Sequence, residues 1–187
     1  MLEQIAVFRH LGTLSDGTRV LLRPLTKEDR EKLRAFFAPI SPEDLQYFRS
    51  DVTNPAVING WIDNLDYAKV LPIVAIVNDR IVGQATLHFG AGPYRHMAEV
   101  RIFLCKEFRR RGLGTLVLRT LSELARKMGL QRLMAQVVAD QRQVIKAFQS
   151  QGYTLEATLP DHFMMPDGET RDIVILIQRL TPQREEF

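Results

Sequence analysis

A mixed α+β fold, with one sheet and helices on both of its faces, is the class this sequence predicts. Three observations carry that prediction. The middle of the chain holds runs rich in β-branched residues, Val70 to Val77, Ile81 to Phe89 and Met97 to Cys105. Two helical segments follow, Leu113 to Met128 and Gln141 to Gln151, each closed by a glycine, Gly129 and Gly152. The full order ββ-ααα-βββ-α-β-α-ββ lacks the regular strand–helix alternation of a doubly wound parallel sheet.

The elements follow from local signals. Ile5 to Leu11 and Thr18 to Pro24 read as a hairpin about Ser15-Asp16-Gly17, because Asp-Gly between apolar runs favours a tight turn. Thr26-Lys27-Glu28-Asp29 has a capping-box pattern, and Leu33, Phe36, Phe37 and Ile40 continue at helical spacing. Ser41-Pro42-Glu43-Asp44 is a second helix start, with proline where its missing N–H costs nothing. Ile58, Trp61, Ile62 and Leu65 predict a third short helix over Pro55 to Leu65. Asn78-Asp79-Arg80 reads as the turn between the first two central strands. In the next helix Leu113, Val117, Leu121, Leu124 and Met128 form one apolar stripe. Leu133 to Val138 is a strand, and Asp140 is placed to cap the helix that follows it. Tyr153 to Leu159 and Asp172 to Ile177 close the fold, with a long loop expected between them on account of Pro160, Pro166 and Gly168.

Composition narrows the function. The chain has 187 residues, 45% hydrophobic and 25% charged, enough to bury one core, and no repeat or linker divides it. It reads as a single domain over 1–187 with an N-terminal hairpin extension at about 3–24. The one cysteine, Cys105, argues for a reducing compartment, and the four histidines have no metal-ligand spacing. No run approaches the roughly 20 apolar residues of a membrane span, and no signal-peptide pattern opens the chain, so a cytoplasmic location is expected. The net charge is only +3, but residues 101–132 hold nine Lys/Arg against two Glu, leaving the rest of the chain at −4. Such focusing suits a local anion site better than a surface that coats nucleic acid, and no interleaved aromatic platform or recognition motif supports the latter.

The focus of that charge is Ile102-Phe-Leu-Cys-Lys-Glu-Phe-Arg109-Arg110-Arg111-Gly112-Leu113-Gly114-Thr115. A strand runs into a basic, glycine-containing turn that opens the strongest helix. The first N–H groups of a helix lack internal partners, and the macrodipole makes that end positive. Gly112 and Gly114 let backbone amides approach a phosphate, and arginines add forked donors. The plainer alternative is a basic helix start with turn glycines. Three arginines there oppose the dipole, so they require compensation either way.

Arg109, Gly112 and Gly114 match the R/Q-x-x-G-x-G/A signature of the GNAT acetyltransferase superfamily. The loop is neither a Walker A motif nor G-x-G-x-x-G. Strand, signature, helix, strand and a helix ending in Gly152-Tyr153 resemble that superfamily over roughly residues 18–180. The stretch from Ser15-Asp-Gly-Thr18 through Arg23-Pro24-Leu25 and Glu28-Asp29 to Ser41-Pro42-Glu43 resembles, more narrowly, the GNAT domain of bacterial protein lysine acetyltransferases. The resemblance implies a central, twisted, mostly antiparallel sheet and acetyl-CoA as cosubstrate. It implies a diphosphate held by Arg109, Arg110, Arg111, Gly112, Leu113, Gly114 and Thr115. It also implies a pantetheine arm paired with the backbone of Ile102, Phe103 and Leu104, the Leu104 N–H serving as donor to the thioester oxygen.

Acetyl transfer to an amine requires a base, because an alkylammonium has a pKa near 10.4. Glu99, the only acidic residue of its strand, is the candidate, a position where the resemblance implies a direct or water-mediated base. An ion pair with Arg101 on the same strand face is the structural alternative, and the two are compatible. Phe148 stands where the superfamily often has a proton-donating tyrosine, and Gln141 where it often has asparagine. Tyr153 reads as core, Cys105 as a small buried residue, and His88 and His96 take no role. The acceptor is a primary amine, of a protein lysine or a small molecule. The alternative is an acyl-CoA sensor without turnover. Asp161, His162, Asp167 and Glu169 form either a mildly acidic rim for a cationic amine or a solvated loop. The first hairpin is an edge through which a homodimer could pair.

Overall fold

The computed structural model describes residues 2–181. Eight strands form a sheet in chain order, save that the eighth stands between the sixth and the seventh, with helices between them, a mixed α+β architecture as expected. The chain gathers into two compact units, one of residues up to Thr86 together with Ile102–Gly114, the other of Leu87–Arg101 together with Thr115 onward.

The first unit opens with a short helix, α1 (Leu2–Ala6), where a strand from Ile5 was expected. Leu-Glu-Gln-Ile-Ala are all helix-tolerant and lack alternation, and the Phe8 N–H closes the turn on the Ile5 carbonyl at 3.0 Å. The hairpin itself is present between β1 (His10–Thr13) and β2 (Arg19–Pro24), in antiparallel register from His10↔Leu22 to Thr13↔Arg19. β2 pairs in turn with β3 (Val70–Val77). Asn78 and Asp79, both left-handed at φ 47° and 63°, join β3 to β4 (Arg80–Phe89), the two-residue turn that matches strand twist.

Two helix starts form as the sequence predicts, and a third gains a cap that the sequence reading did not mark. Before α2 (Arg30–Phe37), Asp29 accepts from the Thr26 N–H at 2.9 Å and takes a two-pronged bond from Arg23 at 2.6 and 2.7 Å. Burial pushes the Asp29 carboxyl up, but the Arg23 and Thr26 bonds outweigh it and hold the pKa below its ordinary value. Ser41 Oγ accepts from Asp44 N–H at the start of α3 (Pro42–Leu45), and Asn54 from Ala56 N–H at that of α4 (Pro55–Asp63). The apolar faces of α2 and α4 meet in a core of Leu25, Leu33, Phe37, Ile58 and Ile62, all but inaccessible.

β5 (Met97–Leu104) pairs in parallel with β6 (Arg132–Val138) from Met97↔Arg132 to Glu99↔Met134 and then continues five residues further. α5 (Leu113–Lys127) buries the predicted stripe Leu113, Val117, Leu121 and Leu124. In the second unit β6 pairs along its length with β8 (Thr170–Arg179), and α6 (Arg142–Ser150) precedes β7 (Thr154–Met164). The expected loop over 160–171 is mostly strand. β7 runs through Pro160 to Met164, and only Met165–Glu169 turns, closed by Met165 N–H to Glu169 carbonyl at 2.7 Å. Proline is tolerated because β7 is an edge, where its missing N–H breaks no ladder. A register shift between Leu159 and Phe163, with Asp161 at φ 51°, absorbs the extra residues. Among the described residues no helix is long and apolar enough to cross a membrane, and no group of three potential ligands gathers to hold a metal ion.

Candidate active site

The basic, glycine-containing loop is built on the end of β5. Leu104 anchors it: a Cβ on Gly83 of β4 would lie 2.7 Å from Leu104 Cδ2, and one on Gly114 would lie 3.5 Å from Leu104 Cδ1. Gly83 thus leaves room for the Leu104 side chain, which a larger residue there would push aside, and no sequence motif announces it. The Cys105 N–H donates to the Val82 carbonyl at 3.0 Å, and Lys106–Phe108 form one 3₁₀ turn. Phe103 is gripped by Phe36, Phe37 and Phe48, with ring centroids 5.1 to 6.0 Å away, so its side chain is core. Whatever Phe103 offers a ligand, it offers through its backbone.

Between Phe108 and α5 the chain takes two left-handed steps, Arg110 at φ 57° and Gly112 at φ 88°. Gly112 is exposed, and a Cβ there would meet open space. Its conformation, and not crowding, demands glycine. Leu113 is fully buried and Thr115 exposed at the first turn of α5.

The three arginines divide their work. Arg109 donates from Nε to the Leu104 carbonyl at 3.0 Å and from its two terminal nitrogens to Asp44 at 2.9 and 3.3 Å. Its guanidinium lies 5.5 Å from the centre of the Phe103 ring. Arg111 donates from Nε to Asp16 at 2.7 Å, from Nη2 to Thr18 Oγ1 at 2.9 Å and from Nη1 to the Glu107 carbonyl at 3.1 Å, and stacks over Phe108. The Asp16 carboxyl is lowered to about 2, first by the Thr18 N–H and hydroxyl and then by Arg111. Arg110 is exposed and makes no hydrogen bond or ion pair among the described residues. The compensation that three adjacent arginines require is supplied by Asp44 and Asp16. Sequence reasoning identified neither as a partner, although both stand in the Asp-Gly turn and the helix start it had marked.

Glu99 sits on β5 three residues before Ile102, its side chain only 14% exposed, and pairs with Arg101 at 3.0 and 3.3 Å. Both readings of that residue therefore stand on the same geometry. Burial, and then Glu107 beside it, push the Cys105 thiol up to about 11, which disfavours the thiolate a nucleophile needs. Phe148 is buried against Tyr153, ring centroids 4.9 Å apart. The Tyr153 hydroxyl has no partner among the described residues, and burial raises its pKa. Asp140 does not cap α6; it pairs with Arg171 at 3.0 Å. His96 contributes a backbone carbonyl to the Gln131 N–H at 2.8 Å.

The expected acidic rim is largely spent on itself. Glu169 pairs with Arg171 at 2.6 Å, Asp161 accepts from the Thr170 hydroxyl at 2.6 Å, and Asp167 accepts from the Glu169 N–H at 2.9 Å.

Comparison with known proteins converges on one family. The family model described as acetyltransferase (GNAT) family matches residues 31–153. An acetyltransferase of Pseudomonas aeruginosa is 29% identical over 128 residues, 65% of this chain and 67% of that protein. The crystal structure of the GNAT domain of S. lividans PAT superposes with a TM-score of 0.75 at 24% identity, over 92% of this chain and 97% of that one. RimJ of Mycobacterium smegmatis, solved in complex with CoA-disulfide, gives 0.76 at 18% identity, over 91% and 86%.

Proposed function

This chain belongs to the acetyltransferase (GNAT) family, and on that premise we propose that it transfers an acetyl group from acetyl-CoA to a primary amine. One observation supports the reading most. The loop ahead of α5 holds its flanking arginines on protein carboxylates and leaves Arg110 and Gly112 exposed at the start of the helix. An unpaired row of helix-start N–H groups beside an exposed cation is a fit for a diphosphate.

Acetyl-CoA, the cosubstrate, supplies an activated thioester when bound. The residues that would hold its diphosphate are Arg110 and the backbone of Gly112, Leu113, Gly114 and Thr115, with Arg109 and Arg111 shaping the loop. The backbone of Ile102 to Leu104, in the part of β5 beyond its register with β6, offers peptide groups to the pantetheine arm. The Leu104 N–H is the donor for the thioester oxygen. Glu99 takes the proton from the incoming ammonium, directly or through one water, and Arg101 holds its carboxylate in place. With Phe148 in place of a donor, the thiolate leaves without a tyrosine; a thiol pKa near 8.5 makes it a fair leaving group.

The acceptor is a protein amine or a small-molecule amine. A second reading, an acyl-CoA sensor without turnover, is favoured by Phe148 alone. A thiol-release assay with acetyl-CoA across amines, peptides and candidate acyl-CoA synthetases separates the two. Amine-dependent release establishes the transferase. CoA binding with no release from any acceptor would favour the sensor, and absence of a CoA-induced thermal shift would remove both.

A further inference from the structure

The turn of the N-terminal hairpin lies more than ninety residues from the anion loop in sequence, yet it reaches the loop with three side chains. We propose that Ser15, Asp16 and Thr18 are positioning residues for the coenzyme: they fix the direction of the Arg111–Gly112 peptide so that the Gly112 N–H faces the diphosphate. The inference rests on the diphosphate site proposed above.

The soft joint of the loop is this peptide. Arg110 and Gly112 are both left-handed, and glycine can rotate about its backbone bonds at little cost. Left to itself, the 111–112 peptide could present either its carbonyl or its N–H to an anion. The Ser15 hydroxyl removes that choice by donating to the Arg111 carbonyl at 3.2 Å. In a planar trans peptide the carbonyl and the following N–H point opposite ways, so a carbonyl held toward the hairpin sends the Gly112 N–H away from it.

The rest of the turn serves the same end. Asp16 spends Oδ1 on its own turn, accepting from the Thr18 N–H at 3.0 Å, and spends Oδ2 on Arg111. Thr18 adds its hydroxyl to the same guanidinium. The turn has its own support, Leu14 N–H to Thr18 carbonyl at 2.8 Å and Gly17 N–H to Leu14 carbonyl at 3.0 Å, so it is a rigid post and not a passenger. These contacts are partly solvated, Arg111 being 30% and Asp16 42% exposed. An ion pair in that setting contributes little to global stability, so its consequence is expected in loop geometry.

The test compares ligands with and without a diphosphate. For Ser15→Ala and Asp16→Asn, the dissociation constant for CoA is measured by calorimetry and that for pantetheine by NMR titration, alongside the melting temperature. The expected result is a roughly three- to tenfold weakening for CoA with pantetheine binding unchanged. Melting should stay within about 2 °C of the parent protein. Ser15→Thr, which keeps the hydroxyl, should restore CoA affinity. Equal weakening for both ligands, or CoA affinity that follows melting temperature alone, would assign these residues to the scaffold and overturn the proposal. Unchanged CoA affinity in both variants would overturn it as well. If the parent protein binds no CoA, the diphosphate reading itself falls, and this inference falls with it.

Discussion

The loop after β5 and the β7–β8 hairpin are both dense in charge, and they use it in opposite ways. In the hairpin most partners are near in sequence: Glu169 with Arg171, Asp161 with Thr170, and Asp161 N–H with Asp172 are two to eleven residues apart, while Arg171 also reaches Asp140 across 31. Those bonds hold a turn closed, and little is left over for a ligand. In the loop the partners are distant: Arg109 finds Asp44 across 65 residues and Arg111 finds Asp16 across 95. Bonds of that kind tie three distant segments together around the loop. The lesson is that a count of basic residues does not measure an anion site. Two of the three arginines here act on the protein, and on the function proposed above the capacity for an anion would reside in the backbone they hold in place.

The contrast is easiest to break at Gly112. Gly112→Glu adds a strained left-handed side chain and a negative charge where the amides converge, and it should abolish the thermal shift produced by CoA. In the parent protein that shift reflects about 2.7 kcal/mol at a hundredfold excess of ligand over its dissociation constant. A full shift in the variant would move the site elsewhere. Next in size is Glu99→Gln, for which kcat should fall about a hundredfold with CoA affinity intact. An unaltered pH–rate profile in that variant would show that Glu99 only pairs with Arg101.

A buried clamp outside both regions sharpens the comparison. Arg23 and Asp29 are 14% and 4% exposed at their side chains, so Asp29→Asn should cost about 3 kcal/mol in chemical denaturation while leaving CoA affinity unchanged in the folded protein. Because the folded-state pKa of Asp29 is lowered, its contribution is complete above the unfolded value near 3.9. That contribution disappears as pH falls through the folded value. The gap between parent and variant should therefore close on acidification, and a gap that widened would refute the assignment. The smallest effect belongs to the hairpin. Arg171→Ala breaks two exposed pairs and should leave both melting and CoA affinity within error. A clear loss of CoA affinity in Arg171→Ala would end the distinction drawn here.

Local chemistry was enough for much of the fold. The helix starts at Thr26 and Ser41, the turn at Asn78-Asp79 and the stripe on α5 all depend on neighbours within a few residues, and the chain announces each of them. The signature Arg109–Gly112–Gly114 was legible for the same reason. Where sequence reasoning failed, the deciding neighbour was remote. Ile5 lay in an apolar run yet joined a helix, and Pro160 punctuated a loop yet sits in a strand because that strand is an edge.

The order of residues thus determined that three arginines at a helix start must be neutralised and that glycines there would expose amides. It could not say by what they would be neutralised. Asp16, Asp44 and Ser15 reach the loop only once the hairpin and helices have folded around it, and Gly83 makes room for Leu104 only when β4 lies beside β5. Contacts closed over sixty to a hundred residues depend on the path of the whole chain, and that path is a property of the packed molecule, not of any window of its sequence.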